Sequence, residues 1–312
     1  MLQVLAAVLS LAALNVAGDT SVSRDIAKQD EAVTHFAFGP KGKRLATASD
    51  DGLRVWDVKS GKLLWEVTDE MGGVAGLGFT EKGKLMLGGT GAALLWTFDD
   101  SGRALQTSAA PAEDVQHMVV DPEGRWAWFG GTDGMVLRLT PGESDNVSRK
   151  TFKNGGVTSL ATDGSGKLVA VGGADDTIRT LSAAKFERDN VLKGHEGAVL
   201  SLAFDDKGTT LVSGGADHTV RLWNPRKGKL EKTLVGHKAA VDALAITTKK
   251  KWIASGDAAG RVIVWDLKRG ELLAEFDAGA PVLRLAFHPD GKTLALVQGK
   301  THVTLWNVGA AF

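Results

Sequence analysis

Cysteine is absent from the 312-residue chain. That excludes disulfides, thiolate nucleophiles, cysteine-ligated zinc, haem attached through cysteine and a bacterial lipoprotein anchor. Tyrosine is absent too, while tryptophan occurs nine times. An excess of charge of either sign is also missing, since 37 Lys+Arg balance 37 Asp+Glu. The only local basic run, Lys249-Lys250-Lys251, reads as a solvated turn. A nucleic-acid binder carries a basic face or stripe, so nucleic acid is not an expected partner. After the first residues no apolar run is long enough to span a bilayer as a helix. Proline is sparse at seven residues and glycine plentiful at 39. The glycines recur in short turns without forming a low-complexity tract, which points to many strands and many reversals.

Residues 1–18 read MLQVLAAVLSLAALNVAG, with no charged side chain before Asp19. The apolar run at 2–14 has the length of a signal-peptide core and is too short for a membrane span. Small residues follow it, and cleavage after Ala17 or Gly18 would release a chain starting near Asp19. No Lys or Arg precedes the run, so only the free amine supplies positive charge there. The expectation is a signal peptide at 1–18, a domain at 19–312, and a secreted or periplasmic location. A first strand or helix of a cytoplasmic protein is the alternative.

The chain repeats itself. Strand-like segments end at Trp56, Trp96, Leu139, Leu181, Trp223, Trp265 and Trp306, at intervals of 40, 43, 42, 42, 42 and 41 residues. A period of this length marks a repeat architecture. Each repeat holds an alternating apolar run (33–38, 74–79, 115–120, 157–161, 199–204, 241–246 and 282–287), a turn, a second apolar run, a Gly/Asp turn, a third run ending at the landmark, and a fourth strand. Period-2 alternation makes each unit a four-stranded antiparallel sheet. One such sheet cannot bury both faces, whereas seven stacked radially can, and closing the ring protects the edges. The expected fold is therefore all-β, a seven-bladed propeller. The seventh repeat lacks a fourth strand. An extended segment at about 20–27, rich in β-branched residues, stands unassigned ahead of the first repeat. It is expected to pair as the outer strand of the last blade. Limits are least regular in the fourth-strand regions of repeats three and four.

The repeat resembles the WD40 family. The resemblance rests on Gly194-His195, Asp217 and Trp223 in repeat five, on Gly236-His237, Trp265 and Asp266 in repeat six, and on Asp51, Trp56 and Asp57 in repeat one. It covers about residues 20–308. It implies a buried hydrogen-bonded set of His, Ser or Thr, Asp and Trp, complete only in repeat five as His195, Ser213, Asp217 and Trp223. Repeat six keeps His237, Ser255 and Trp265 but has Ala259 where the Asp would stand. In repeat one Gln29 takes the His position, in repeat four Lys153, and in repeat seven Ala278. The resemblance further implies a rigid, non-catalytic interaction module that docks a protein or peptide on loops at one face. The candidates carried over are Asp50, Thr132, Ala216, Glu196 and Lys238, with small residues such as Ala174 and Ala258 at other matching positions. A monomer and no cofactor are expected.

His195, Ser213 and Asp217 have the residue types of a hydrolase triad. Because these positions recur at the repeat period and Trp223 completes a structural pattern, the set reads as structural. The remaining histidines (His35, His117, His218, His288 and His302) read as scattered, with no spacing that suits a zinc-binding helix. The glycine pairs Gly88-Gly89, Gly130-Gly131, Gly172-Gly173 and Gly214-Gly215 lack a following Lys-Ser/Thr and helix, so they read as turns. Trp126 and Trp252, at equivalent positions, read as packing residues. A propeller enzyme of lactonase or hydrolase type, with a metal assembled across the central channel, is the alternative reading.

Overall fold

The computed structural model describes residues 23–310, apart from 28, 30, 69–72, 153–154, 248, 250 and 299–300. The signal-peptide reading at 1–18, residues 20–22 of the closing segment and Lys153 lie outside the described residues. Twenty-seven strands and one short 3-10 turn, Val308–Ala310, make up the described elements. All strand pairings are antiparallel, and six hydrogen-bonded sheets result.

Five of these sheets are single four-stranded blades. Blade one runs from the axis outward through His35–Phe38, Arg44–Ser49, Gly52–Asp57 and Leu63–Val67. Blades four, five and six repeat the plan from Val157–Thr162 to Glu187–Lys193, from Val199–Phe204 to Lys229–Val235, and from Val241–Thr247 to Leu272–Asp277. The sixth sheet has seven strands and holds blades two and three together. Its shared strand, Ala104–Val120, pairs through Ala104–Ala110 with blade two and through Val115–Val120 with blade three. Asp114, at φ 59°, turns the chain between the two duties.

Blade seven stacks Leu285–Phe287, Thr293–Gln298 and His302–Asn307, and its outer strand is Ser23–Ile26. The register Arg24↔Leu305 and Asp25↔Thr304 fixes the closure, as expected from the unassigned segment. Thr304 Oγ1 donates to Asp25 Oδ1 at 2.8 Å. The seam is stitched again between blades seven and one. His288 Nε2–H donates to the Gly42 carbonyl at 3.0 Å, and its ring meets Phe38 edge-on at 5.0 Å.

The core is divided among the blade junctions. Seven apolar clusters among the described residues each join two neighbouring blades. One joins Leu45, Trp56 and Val33 to Ala295, Val297 and Val303 across the seam. Another joins Val212 and Leu222 of blade five to Ile253 and Ile263 of blade six. Both faces of every sheet are covered in this way, which suits the short, mostly buried second and third strands.

Register corrects one landmark. In blades one, five and six the landmark Trp pairs with the second-strand residue two before the Ser/Thr position: Trp56↔Leu45, Trp223↔Leu211 and Trp265↔Ile253. In blade two the equivalent Leu85 pairs with Phe98, and Trp96 pairs with Leu87 instead. Phe98, at 2% exposure, is thus the structural landmark. Trp96 lies where blade five has Arg221.

Antiparallel blades put the turn between second and third strands at the same end as the loop between one blade's fourth strand and the next blade's first. That end carries the candidate loops. The opposite end carries Asp-capped turns. Asp205 Oδ1, for example, accepts from the Thr209 and Thr210 backbone N–H groups at 2.7 and 3.0 Å, which is the local side-chain-to-backbone bonding that favours Asp in turns.

Candidate functional site

The blade-five set forms a chain of four groups. Trp223 Nε1–H donates to Ser213 Oγ at 2.8 Å. The indole is a donor only, so the Ser213 hydroxyl passes its own hydrogen to His195 Nε2 at 2.7 Å. His195 Nδ1–H then donates to Asp217 Oδ2 at 2.8 Å. Burial lowers the His195 pKa despite Asp217, so the ring is neutral at pH 7. Asp217 also accepts from the backbone N–H of Glu196 and from the Thr219 hydroxyl. These bonds outweigh its burial and hold its pKa down to about 2. Ser213 has no exposure at all, and its oxygen is capped by an indole N–H. A nucleophile needs an accessible oxygen, so this set cannot act as a hydrolase triad. It fastens the Glu196 loop to the blade.

Blade six carries the same set complete, which corrects the reading that it lacks its Asp. Trp265 donates to Ser255 at 2.8 Å, Ser255 bonds His237 Nε2 at 2.6 Å, and His237 Nδ1 bonds Asp257 Oδ2 at 2.8 Å. The carboxylate comes from Asp257, two residues before Ala259. Position 257 corresponds to Gly215 of blade five. A Cβ on Gly215 would lie 2.5 Å from His195 Nδ1 and 2.7 Å from Asp217 Oδ1, so Asp217 occupies that space from the turn. Blade six fills the same space from the strand end. A search for Asp at a fixed offset misses it.

Blade one uses a substitute. Trp56 donates to Thr47 Oγ1 at 2.9 Å, and Thr47 donates to Gln29 Oε1 at 3.0 Å. Gln29 sits buried at the His position. Asp51 turns to Arg54 instead, with Arg54 Nη2 at 2.7 Å from Asp51 Oδ2. That pairing leads the causes holding Asp51 at about 2. Erosion of the set in blade one is therefore partial.

The five face candidates, Asp50, Thr132, Ala216, Glu196 and Lys238, are all exposed and lie on the same end of the ring. A recurring brace holds this end. The first residue of the turn between second and third strands donates its N–H to the loop entering the same blade: Thr90 to Gly73, Thr132 to Asp114, Ala174 to Gly156, Ala216 to Ala198 and Ala258 to Ala240, at 2.8 to 3.1 Å. Loops tied in this way present their side chains with little entropy left to lose on binding.

Trp126 packs as expected, flanked by the guanidinium groups of Arg125 and Arg138 at 4.9 and 5.0 Å. Among the described residues no group of three or more His, Asp or Glu side chains is gathered closely enough to hold a metal ion. No helix among them is long and apolar enough to cross a membrane. Two residues read as scattered do share a place. His35 and His117 occupy the same station on the inner strands of blades one and three, opposite Ala48 and Gly130. Pairing register shows this; the letter pattern does not.

The signature described as the WD domain, G-beta repeat, matches at residues 23–57, 146–180, 186–224 and 228–266. Each match starts on the outer strand of one blade and ends on the third strand of the next. The sequence repeat is thus offset by one strand from the blade, and the first match, 23–57, straddles the closing seam. Comparison with curated proteins finds no match.

Proposed function

Since the chain belongs to the WD40-repeat family, a group of propellers that typically mediate protein interactions, we propose that this protein is a non-catalytic docking module. On this reading it binds a protein or peptide through the end of the ring that carries Asp50, Thr132, Ala216, Glu196 and Lys238. One observation carries the reading: the braced ring of exposed loops at that end, fastened from below by the His195 and His237 sets. It is a preorganised surface, while the triad-like groups beneath it are consumed in holding it.

The apolar run at 2–14 and the small residues after it support export, so the partner is sought in the cell envelope or the medium. Charge reversal tests both parts. Glu196→Lys with Lys238→Glu should abolish capture of the native partner from an extracytoplasmic fraction. Lys207→Glu, on an exposed turn at the opposite end, should leave it intact. Equal loss, or no loss, in the two variants would sink the choice of face. The intact mass of the native protein should match residues 19–312 or 18–312, and a full-length cytoplasmic product would overturn export.

A further inference from the structure

Each inner strand enters the ring from the loop-bearing end and soon reaches one equivalent station. In blades four and five the station holds Ser159 and Ser201, which donate to the Val199 and Val241 carbonyls of the next blade, both at 2.9 Å. Three other stations carry titratable or charged side chains: His35, His117 and Arg284. Arg284 takes the station of blade seven, where its carbonyl accepts from Val297 N–H. Blades one and three are not neighbours, yet the charge of His117 acts on His35, which places the two rings within electrostatic reach of one another.

Arg284 Nη2–H donates to His35 Nε2 at 3.1 Å, and Nη1–H donates to the Leu283 carbonyl at 2.9 Å. His35 is therefore the acceptor, and its Nδ1–H donates to Thr34 Oγ1 at 3.2 Å. Both rings are neutral at pH 7. Burial, then Arg284, then His117 push His35 down to about 3, and burial followed by Arg284 pushes His117 down to about 4. Burial also pulls the Arg284 pKa down. Among the described residues no carboxylate lies within ion-pair distance of this guanidinium. Asp242 of blade six opposes the burial through space only, and its own carboxyl is pushed up by burial. The channel mouth thus holds a partly desolvated cation backed by neutral rings, an arrangement that is costly until a counter-charge arrives. Three of its five N–H donors are uncommitted by these bonds.

We propose that Arg284, held in place by His35, forms a carboxylate-binding site at the loop-bearing mouth of the central channel, filled by an acidic side chain of the docked partner. A carboxylate there converts a lone guanidinium into a charge-assisted, bidentate pair. One guanidinium with Asp242 nearby suits a single negative charge; a phosphate dianion calls for a cluster of cations. The exposed chain neighbours Leu283 and Gln116 precede the stations of Arg284 and His117, so a side chain reaching in from a partner laid on the loops meets this site first. The proposal rests on the docking reading above.

The test is a titration of the isolated protein with the blocked peptide acetyl-Gly-Glu-Gly-amide, followed through the ring Cε1–Hε1 NMR signals of His35 and His117. The signals are assigned with His35→Gln and His117→Gln. The peptide should shift both, its Gln counterpart should shift neither, and Arg284→Gln should weaken the response by roughly tenfold or more, the loss expected for a charge-assisted pair. Asp242→Asn removes a competing negative charge and should tighten binding. That arm keeps the test decisive if Arg284→Gln fails to fold. An unshifted pair of signals, an equal response to the Gln peptide, or no gain in Asp242→Asn would overturn the site. A response to glutarate without one to the peptide would overturn the assignment to a partner's side chain. The natural partner is not used, so failure here leaves the docking reading standing, and failure of the face variants leaves this titration standing.

Discussion

At the residue scale the four-group sets decide what the chemistry can be. His195→Ala leaves Ser213 and Asp217 short of a partner in a buried site. Asp217→Ala strips the ring of its acceptor in the same way. Each should cost about 1–3 kcal/mol, the usual penalty for an orphaned buried polar group, read as a drop in denaturant midpoint at unchanged slope. Blade six supplies a rescue. Gly215→Asp combined with Asp217→Ala brings the carboxylate from the strand end, as Asp257 does, and should recover part of the loss once the His195 ring shifts off the new Cβ. The two changes share one partner, so their effects should be strongly non-additive; simple addition would refute the equivalence of the two carboxylate positions. Protonation gives a second prediction. His35 and His117 hold folded pKa values of about 3 and about 4, below the ordinary 6.5. The unfolded chain takes up their protons first, so the stability they contribute is full above pH 6.5 and declines as pH falls toward about 4 and then about 3. Denaturant midpoints at pH 7, 5.5 and 4.5 should fall less steeply in His35→Gln and His117→Gln than in the parent protein.

At the scale of the strand, legibility depends on whether the signal is periodic or positional. Alternating apolar residues and Gly/Asp turns recur at the repeat period, so the inner strands at 74–79 and 199–204 were readable to the residue. Pairing register is not written in letters. Trp96 looked like a landmark because it is a tryptophan ending an apolar run, yet the eight-residue strand Gly91–Phe98 runs two residues further and buries Phe98. Asp257 was missed as a member of its set for a related reason, and Gln29, placed at the His position, was not read as bonding Thr47. Each reaches the same space from a different backbone position or with a different side chain, and only side-chain geometry reveals that. The alignment of His35, His117 and Arg284 at one station was hidden because three residue types share it. Blade two offers a direct check. Phe98→Ala should cost about 3–5 kcal/mol as a buried aromatic truncation, and Trp96→Ala, at a half-buried site under Gly89, should cost clearly less. The reverse order in denaturant titrations would restore Trp96 as the landmark.

At the scale of the whole molecule, stability depends on closure. Each apolar cluster needs two blades, and the strand Ser23–Ile26 completes the last of them. Deleting residues 1–27 should expose the edge of His302–Asn307 and open the seam held by Ile26 and Ala27. Backbone amides of 302–307 should then exchange with deuterium much faster, while Leu211–Gly215 in blade five stays protected. Uniform acceleration in both strands would mean that the ring unfolds as one unit. The offset of the sequence repeat by one strand makes this seam the same kind of link as every other junction.

The ring's orientation toward its partner is tested most directly by chemical cross-linking of the native complex, read at lysines on the two ends. Lys193 and Lys238 flank the His195 and His237 loops, and Lys82 and Lys207 lie in turns at the far end; all four are exposed. Docking on the braced loops predicts cross-links from Lys193 and Lys238 to one partner and few from the far-end pair. Cross-links concentrated on Lys82 and Lys207 would contradict it and move the functional surface to the opposite end.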